Sequence, residues 1–131
     1  MFGNGTMGTG GKSPMARIDT PASLGNGKFT FSLDDAKAFA PVFLLLDLGG
    51  NAAGLPLYGQ NFYLTPAANV QFLGLTKPSS PTSSLGYFTN RFPLPTSPSF
   101  GGMQLWSQWL VFDVLGPNGI TSSNGARITL F

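Results

Sequence analysis

Glycine and proline punctuate this chain so often that no long helix can be drawn through it. Eighteen Gly and eleven Pro fall among 131 residues. Proline removes a helix hydrogen bond, and glycine raises the entropy cost of ordering the backbone. A helix bundle is therefore excluded. An α/β fold is excluded too, because it needs a 3.6-period segment long enough to cross over a parallel sheet. At this length the chain holds one core rather than two. No apolar run approaches the ~18 residues of a membrane-spanning helix. The longest, from Phe39 to Leu46, is broken by Pro41 and bounded by Asp47.

What remains is a series of short apolar stretches between turn residues. Residues 1–13, with Gly3, Gly5, Gly8, Gly10 and Gly11, carry too little side chain for a core strand and read as an N-terminal arm. Residues 14–131 read as the domain proper. Met15 to Asp19 is a short strand candidate, and Leu24-Gly25-Asn26-Gly27 is a turn. Lys28 to Leu33 alternates polar and apolar, the mark of a half-buried strand. Ser32-Leu33-Asp34-Asp35 resembles a capping box and predicts one helical turn through Ala38, stopped by Pro41. Val42 to Leu46 is apolar throughout, as in a strand covered on both faces.

Further strands are predicted at Leu55–Leu57, Asn61–Thr65, Asn69–Leu75, Tyr87–Leu94, Met103–Val114 and Ala126–Phe131. Lys77 to Ser84 is rich in Pro, Ser and Thr and reads as a surface loop. Pro95–Gly102 and Gly116–Gly119 read as turns. Short strands at turn spacings of about 8–12 residues predict a single antiparallel β-sandwich, jelly-roll or immunoglobulin-like. The strand ending on Leu130-Phe131 is expected to pair within a sheet, since an exposed apolar edge invites aggregation.

The residue inventory removes most chemistry. There is no His or Cys, and all five acidic residues are Asp, at 19, 34, 35, 47 and 113. Disulfides and thiolate or imidazole metal sites are thus excluded. No two Asp are spaced to flank a glycosidic bond, and none alternate as in a calcium loop. Gly3-Asn4-Gly5-Thr6-Met7-Gly8 matches a dinucleotide fingerprint by letter, but no strand precedes it and Pro14 cuts off any following helix. Gly11-Lys12-Ser13 lacks the leading Gly of a P-loop. A Ser–Lys nucleophile could draw only on Lys77 with Ser79 and Ser80, in a Pro-rich loop. Neither an enzyme nor a bound cofactor or metal is expected.

Charge points the same way. Charged residues make up 9%, against a usual share of about 25%. The seven cations, Lys12, Arg17, Lys28, Lys37, Lys77, Arg91 and Arg127, are scattered, so no basic stripe for nucleic acid forms. An uncharged surface of Ser, Thr, Asn, Gln and Gly suits a secreted or cell-surface protein. Met1-Phe2-Gly3 lacks the basic and apolar regions of a signal peptide. Either a leader is removed or the chain is cytosolic.

Aromatic residues offer the one candidate ligand site. Trp106, Trp109, Tyr58, Tyr63 and Tyr87 could stack on sugar rings, as in a carbohydrate-binding module. Trp106 and Trp109, three apart on one strand, must point to opposite faces. Core or interface packing is the competing role for both.

Several segments together resemble a family. These are Phe2 to Gly11, Pro14, Leu24-Gly25-Asn26 and Ala40-Pro41-Val42-Phe43-Leu44-Leu45-Leu46. Leu105-Trp106-Ser107-Gln108-Trp109, Ser122-Ser123-Asn124-Gly125 and Arg127 to Leu130 continue the pattern. They resemble the C-terminal repeat-like β domains of large secreted proteins from planctomycete-type bacteria. Such domains open with a Tyr-Gly-Thr-Gly-Cys type arm and a Leu-Gly turn. The cysteine pair often seen there is missing here, so no disulfide carries over. The resemblance implies a non-catalytic module of a secreted or surface protein, with no catalytic residues to transfer. Self-assembly into an oligomer or filament is the expected extension. An extended arm of about ten residues, at ~3.3–3.6 Å each, could reach some 30 Å and add a strand to a neighbouring copy. The alternative is an arm that folds back on its own sheet or is simply disordered.

Overall fold

Phe29, Phe31 and Leu33 alternate with Thr30 and Ser32, and all three large side chains are buried. That alternation gives one sheet its inner face. The computed structural model describes residues 1–57, 59–65 and 68–131, and it is all-β. The strands are β1 (Met15–Ile18), β2 (Thr30–Lys37), β3 (Pro41–Asp47), β4 (Gly50–Leu57), β5 (Gln60–Leu64) and β6 (Asn69–Leu75). They continue with β7 (Lys77–Pro78), β8 (Leu85–Arg91), β9 (Gln104–Phe112), β10 (Ile120–Ser122) and β11 (Ala126–Thr129).

Two antiparallel sheets form a sandwich. The first has the order β1-β2-β8-β7. The second has the order β10-β9-β3-β6, with β11 continuing along the same flank of β9 as β10. Between the sheets lies the main core, which includes Phe29, Phe31, Leu33, Val42, Leu44, Trp109, Val111 and Leu130. Trp109 meets the edge of Phe88 at 5.9 Å between ring centres. The strand that ends at Leu75 crosses from one sheet to the other at Thr76, which is buried. The Thr76 hydroxyl accepts from Ala40 N–H, and its backbone N–H donates to the Ala40 carbonyl.

A third piece lies outside the sandwich. Strands β4 and β5 pair only with each other, as an irregular hairpin whose register shifts between Gly50 and Leu55. What attaches it is the side chain of Gln108 on β9, which has no exposed surface. Its amide oxygen accepts from Tyr63 N–H at 3.1 Å. Its amide nitrogen donates to the carbonyls of Asn61 at 2.7 Å and Ser123 at 3.0 Å. Tyr63 N–H and Asn61 C=O are backbone groups on the flank of β5 away from β4. The hairpin therefore turns a backbone edge toward the sheet and stands on it like a wall. Gln60, also buried, holds the wall's far end by donating to the Pro117 and Ile120 carbonyls. Asp47 holds its base, accepting from Thr65 N–H at 2.9 Å and from the Thr65 hydroxyl. A second, smaller core of Leu45, Tyr63, Leu64 and Trp106 fills the angle between wall and sheet.

Three sequence expectations need correction. The helical turn predicted at Ser32–Ala38 is instead the second half of β2, which pairs with β8 through a bulge between Leu33 and Ala36. Sheet pairing overrides the local capping signal, and Asp35 absorbs the bulge at a φ of 55°. Pro41 opens β3, a position that needs no ladder donor, and so starts a strand where it was expected to end a helix. The loop predicted from Lys77 begins with the two-residue strand β7.

Gln108→Leu keeps much of the volume but strips partners from three backbone groups. Each buried group left unpaired costs about 1–3 kcal/mol. Urea denaturation is expected to show a loss of at least ~2 kcal/mol. Gln71→Leu on exposed β6 should stay within about 0.5 kcal/mol. Equal losses for the two variants would refute the role given to Gln108.

Candidate functional site

Among the described residues, those singled out as a sugar platform share no exposed face, and Trp106 and Tyr63 meet only inside the second core. Trp109 is 1% exposed and faces the main core. Trp106 is 7% exposed and faces the opposite way, under the wall, against the edge of Phe2 at 5.2 Å and beneath the Arg127 guanidinium at 5.3 Å. The opposed orientation expected from their spacing is present, yet both rings are covered. Tyr63 is 3% exposed. Buried rings offer no face to a soluble sugar, so these three cannot stack one. Tyr87 stands exposed on β8 by itself, and Tyr58 lies outside the described residues.

The Gly-rich arm lies on its own chain. Phe2 exchanges backbone hydrogen bonds with Gly125 at 3.0 and 2.9 Å. The Tyr63 hydroxyl both receives from Asn4 N–H and donates to the Asn4 carbonyl. Thr6 N–H donates to the Ser122 carbonyl, and the Thr6 hydroxyl bonds Gln60. Close approach explains the glycine spacing: a Cβ at Gly3, Gly5 or Gly8 would strike the Tyr63 ring, the Ser122 carbonyl or the Asp113 carboxylate. Gly10 and Gly11, both at positive φ, turn the chain toward β1.

Four of the carboxylates have structural partners, and the fifth, Asp35, sits at the bulge in β2. Asp113, 2% exposed, accepts from Thr9 N–H at 2.7 Å, the Thr9 hydroxyl at 2.9 Å and Leu115 N–H at 3.0 Å. Burial pushes its pKa up, but these donors and the charge of Lys37 outweigh it and hold the carboxyl below its ordinary value. The Thr65 hydroxyl holds Asp47 below its ordinary value against a smaller opposing effect of burial, with help from backbone N–H groups. Arg17 bridges Asp34 at 2.6 Å and Asp19 at 3.3 Å on the surface. Lys77, Ser79 and Ser80 lie around β7, where the Ser79 N–H donates to the Leu85 carbonyl. Among the described residues no three of His, Cys, Asp or Glu cluster to hold a metal, and no helix is long and apolar enough to cross a membrane.

The surface left uncovered is apolar. On the outer face of the second sheet, Phe43 contacts Phe72 at 5.3 Å and Phe112 at 5.1 Å between ring centres. Phe72 is 61% exposed and Phe112 48%. Beside them Leu45, Val70, Leu55, Leu57, Phe62 and Leu64 line an apolar groove of about 200 Å³ between floor and wall. That is below the ~300–1,000 Å³ of ordinary small-molecule pockets. An open apolar face of this kind suits a protein surface better than an enclosed ligand.

The strand edges differ sharply in protection. β1 carries the Arg17 ion pairs. The arm covers the β10 flank as far as Gly125, and β11 beyond it is four residues long and carries Arg127. The β7 edge is two residues long and made of Lys77 and Pro78, with Arg91 farther along β8. These are the ordinary guards against edge pairing. β6 pairs only with β3, runs seven residues from Asn69 to Leu75, and contains neither charge nor proline.

No family model, curated protein or solved structure matches this chain. Sequence reasoning looked to Trp and Tyr and passed over the phenylalanines that form the exposed face. The signal available was in β6 itself, where Val70 and Phe72 alternate with Asn69 and Gln71 and no ionisable residue intervenes.

A depressed carboxyl stabilises the fold above its unfolded pKa of about 3.9, and that stabilisation is lost as pH falls through the folded value. The Thr9 amide NMR signal is therefore expected to titrate with a midpoint below ~3.9, as the arm loosens. Asp113→Asn should abolish that transition. A midpoint at or above the ordinary Asp value would contradict the docking described.

Proposed function

We propose that this chain is a non-catalytic structural or interaction module of a secreted or cell-surface bacterial protein, acting through the outer face of its second sheet. The observation that carries the reading is the continuous Phe43–Phe72–Phe112 face beside an unguarded strand. Soluble monomers seldom leave a large apolar patch open without a use for it. The resemblance to C-terminal β domains of secreted planctomycete-type proteins supports the same setting, as does the low charge. The sandwich is proposed to be of the immunoglobulin-like kind. With β1, β2, β3, β7, β8 and β9 as A to F and β10–β11 as G, the sheets follow the A-B-E-D and G-F-C orders of that fold, with β6 added beside C.

Phe72→Lys with Phe112→Lys tests the reading in the full chain. Both rings are largely exposed, so stability should change by no more than about 0.5 kcal/mol each. Retention on a hydrophobic-interaction matrix should fall sharply. A loss of several kcal/mol would show these rings to be packing elements and remove the observation behind the reading. Retention on insoluble polysaccharide that disappears in Tyr87→Ala would favour a carbohydrate-binding module instead.

A further inference from the structure

We infer that β6 is the docking strand for a second copy of this chain, with the two β6 strands paired antiparallel about a two-fold axis at Gln71. The inference rests on the reading of the outer face as an interaction surface and adds the partner and its register.

An open edge is completed by another extended strand, through backbone hydrogen bonds that any sequence can make. What selects the partner is the side chains on either side of that ladder. A charged edge would choose a partner of opposite sign and repel its own copy. β6 has no charged residue from Asn69 to Leu75, so pairing with itself brings no like charges together. Among the described strands of the two sandwich sheets it is also the one long edge without a guard. The outer edge of β4 is unpaired too, but Pro56 and the register shift between Gly50 and Leu55 interrupt it, so the regular edge that fits itself is β6.

Register follows from the side chains. A two-fold contact must set residues opposite one another symmetrically. Centring it on Gln71 places Val70 of each copy opposite Phe72 of the other, and Gln71 opposite Gln71. Large then meets small on the outer face, where both residues are exposed in the single chain. The two glutamine amides meet on the other face and can bond each other. The second sheet would continue from β3 and β6 of one copy into β6 and β3 of the next. The Phe43 and Phe72 rings of the two copies would form one uninterrupted strip. A closed two-fold of this kind uses up the β6 edge of both copies, so along this sheet it stops at a dimer.

The natural chain has no cysteine, which makes the contact easy to trap. Opposed residues in an antiparallel pair have Cα atoms about 4.5–5.5 Å apart, within the range a disulfide spans. Light scattering on the full chain is expected to show the mass doubling as concentration rises. Under a mild oxidant such as copper-phenanthroline, Gln71→Cys should form a covalent dimer faster than Ser80→Cys on the exposed loop. Gln71→Lys should keep the parent's circular dichroism and melting behaviour yet stay monomeric where the parent is a dimer. A parent that is monomeric at all concentrations would overturn the inference, and so would equal cross-linking at positions 71 and 80. If the parent is monomeric while Phe72→Lys with Phe112→Lys still loses matrix retention at unchanged stability, the broader reading stands and this partner fails. If those two substitutions instead unfold the protein, both fail.

Discussion

One side-chain amide joins two structures that otherwise share no backbone ladder. Gln108 offers a carbonyl oxygen and an NH2 group at the spacing of a peptide unit, and β5 accepts it as it would a neighbouring strand. Because the amide stands up from the sheet, the hairpin stands up with it. That geometry divides the outer face of the second sheet in two. One side, over Trp106, is closed by Tyr63 and Phe2. The other, over Phe43 and Phe72, stays open. A hydrophobic residue at position 108 could fill the same space but could not fix the direction in which the hairpin points.

Polar groups do the joining throughout this chain, and apolar groups do the filling. Gln60, Asp47, Asp113 and Thr76 each sit where two segments distant in sequence come together, and each satisfies backbone N–H or C=O groups that a ladder would otherwise have claimed. With no cysteine available, these contacts take the positions that cross-links hold in small secreted domains. The arrangement also accounts for the scarcity of free charge. Of the five Asp, two are engaged with backbone and hydroxyl donors, and two more share Arg17.

The sandwich was legible from residue order because its determinants are local. Alternation in Lys28–Leu33 and in the Trp106–Val111 segment marks the faces of β2 and β9, and turn residues mark their ends. The standing hairpin was not legible: its strands could be seen, but their attachment depends on one glutamine whose neighbours Asn61 and Tyr63 are over forty positions away. The burial of Trp106, Trp109 and Tyr63 was not legible for the same reason. Whether Trp106 or Phe72 is exposed is decided by what covers each strand from outside, and alternation tells two faces apart without saying which is wet. β10, three residues long, is too short for alternation to mark it as a strand. The helical signal at Ser32–Asp35 was real as a local preference and lost to pairing with β8.

The arm has a consequence for how the chain comes to be folded. Besides Gln60 and Tyr63, its partners include Asp113, Ser122 and Gly125, so Thr9, Thr6 and Phe2 must wait for residues more than a hundred positions further along. Contacts of such separation are closed late, because loop closure has to be met before they give anything back. On a ribosome the glycine-rich arm would emerge before its partners and dock last. Until then Trp106 and Tyr63 lack their cover, and the flank beside β10 and β11 is as open as β6. The nascent chain therefore passes through a stage with two adhesive edges, of which the arm later closes one.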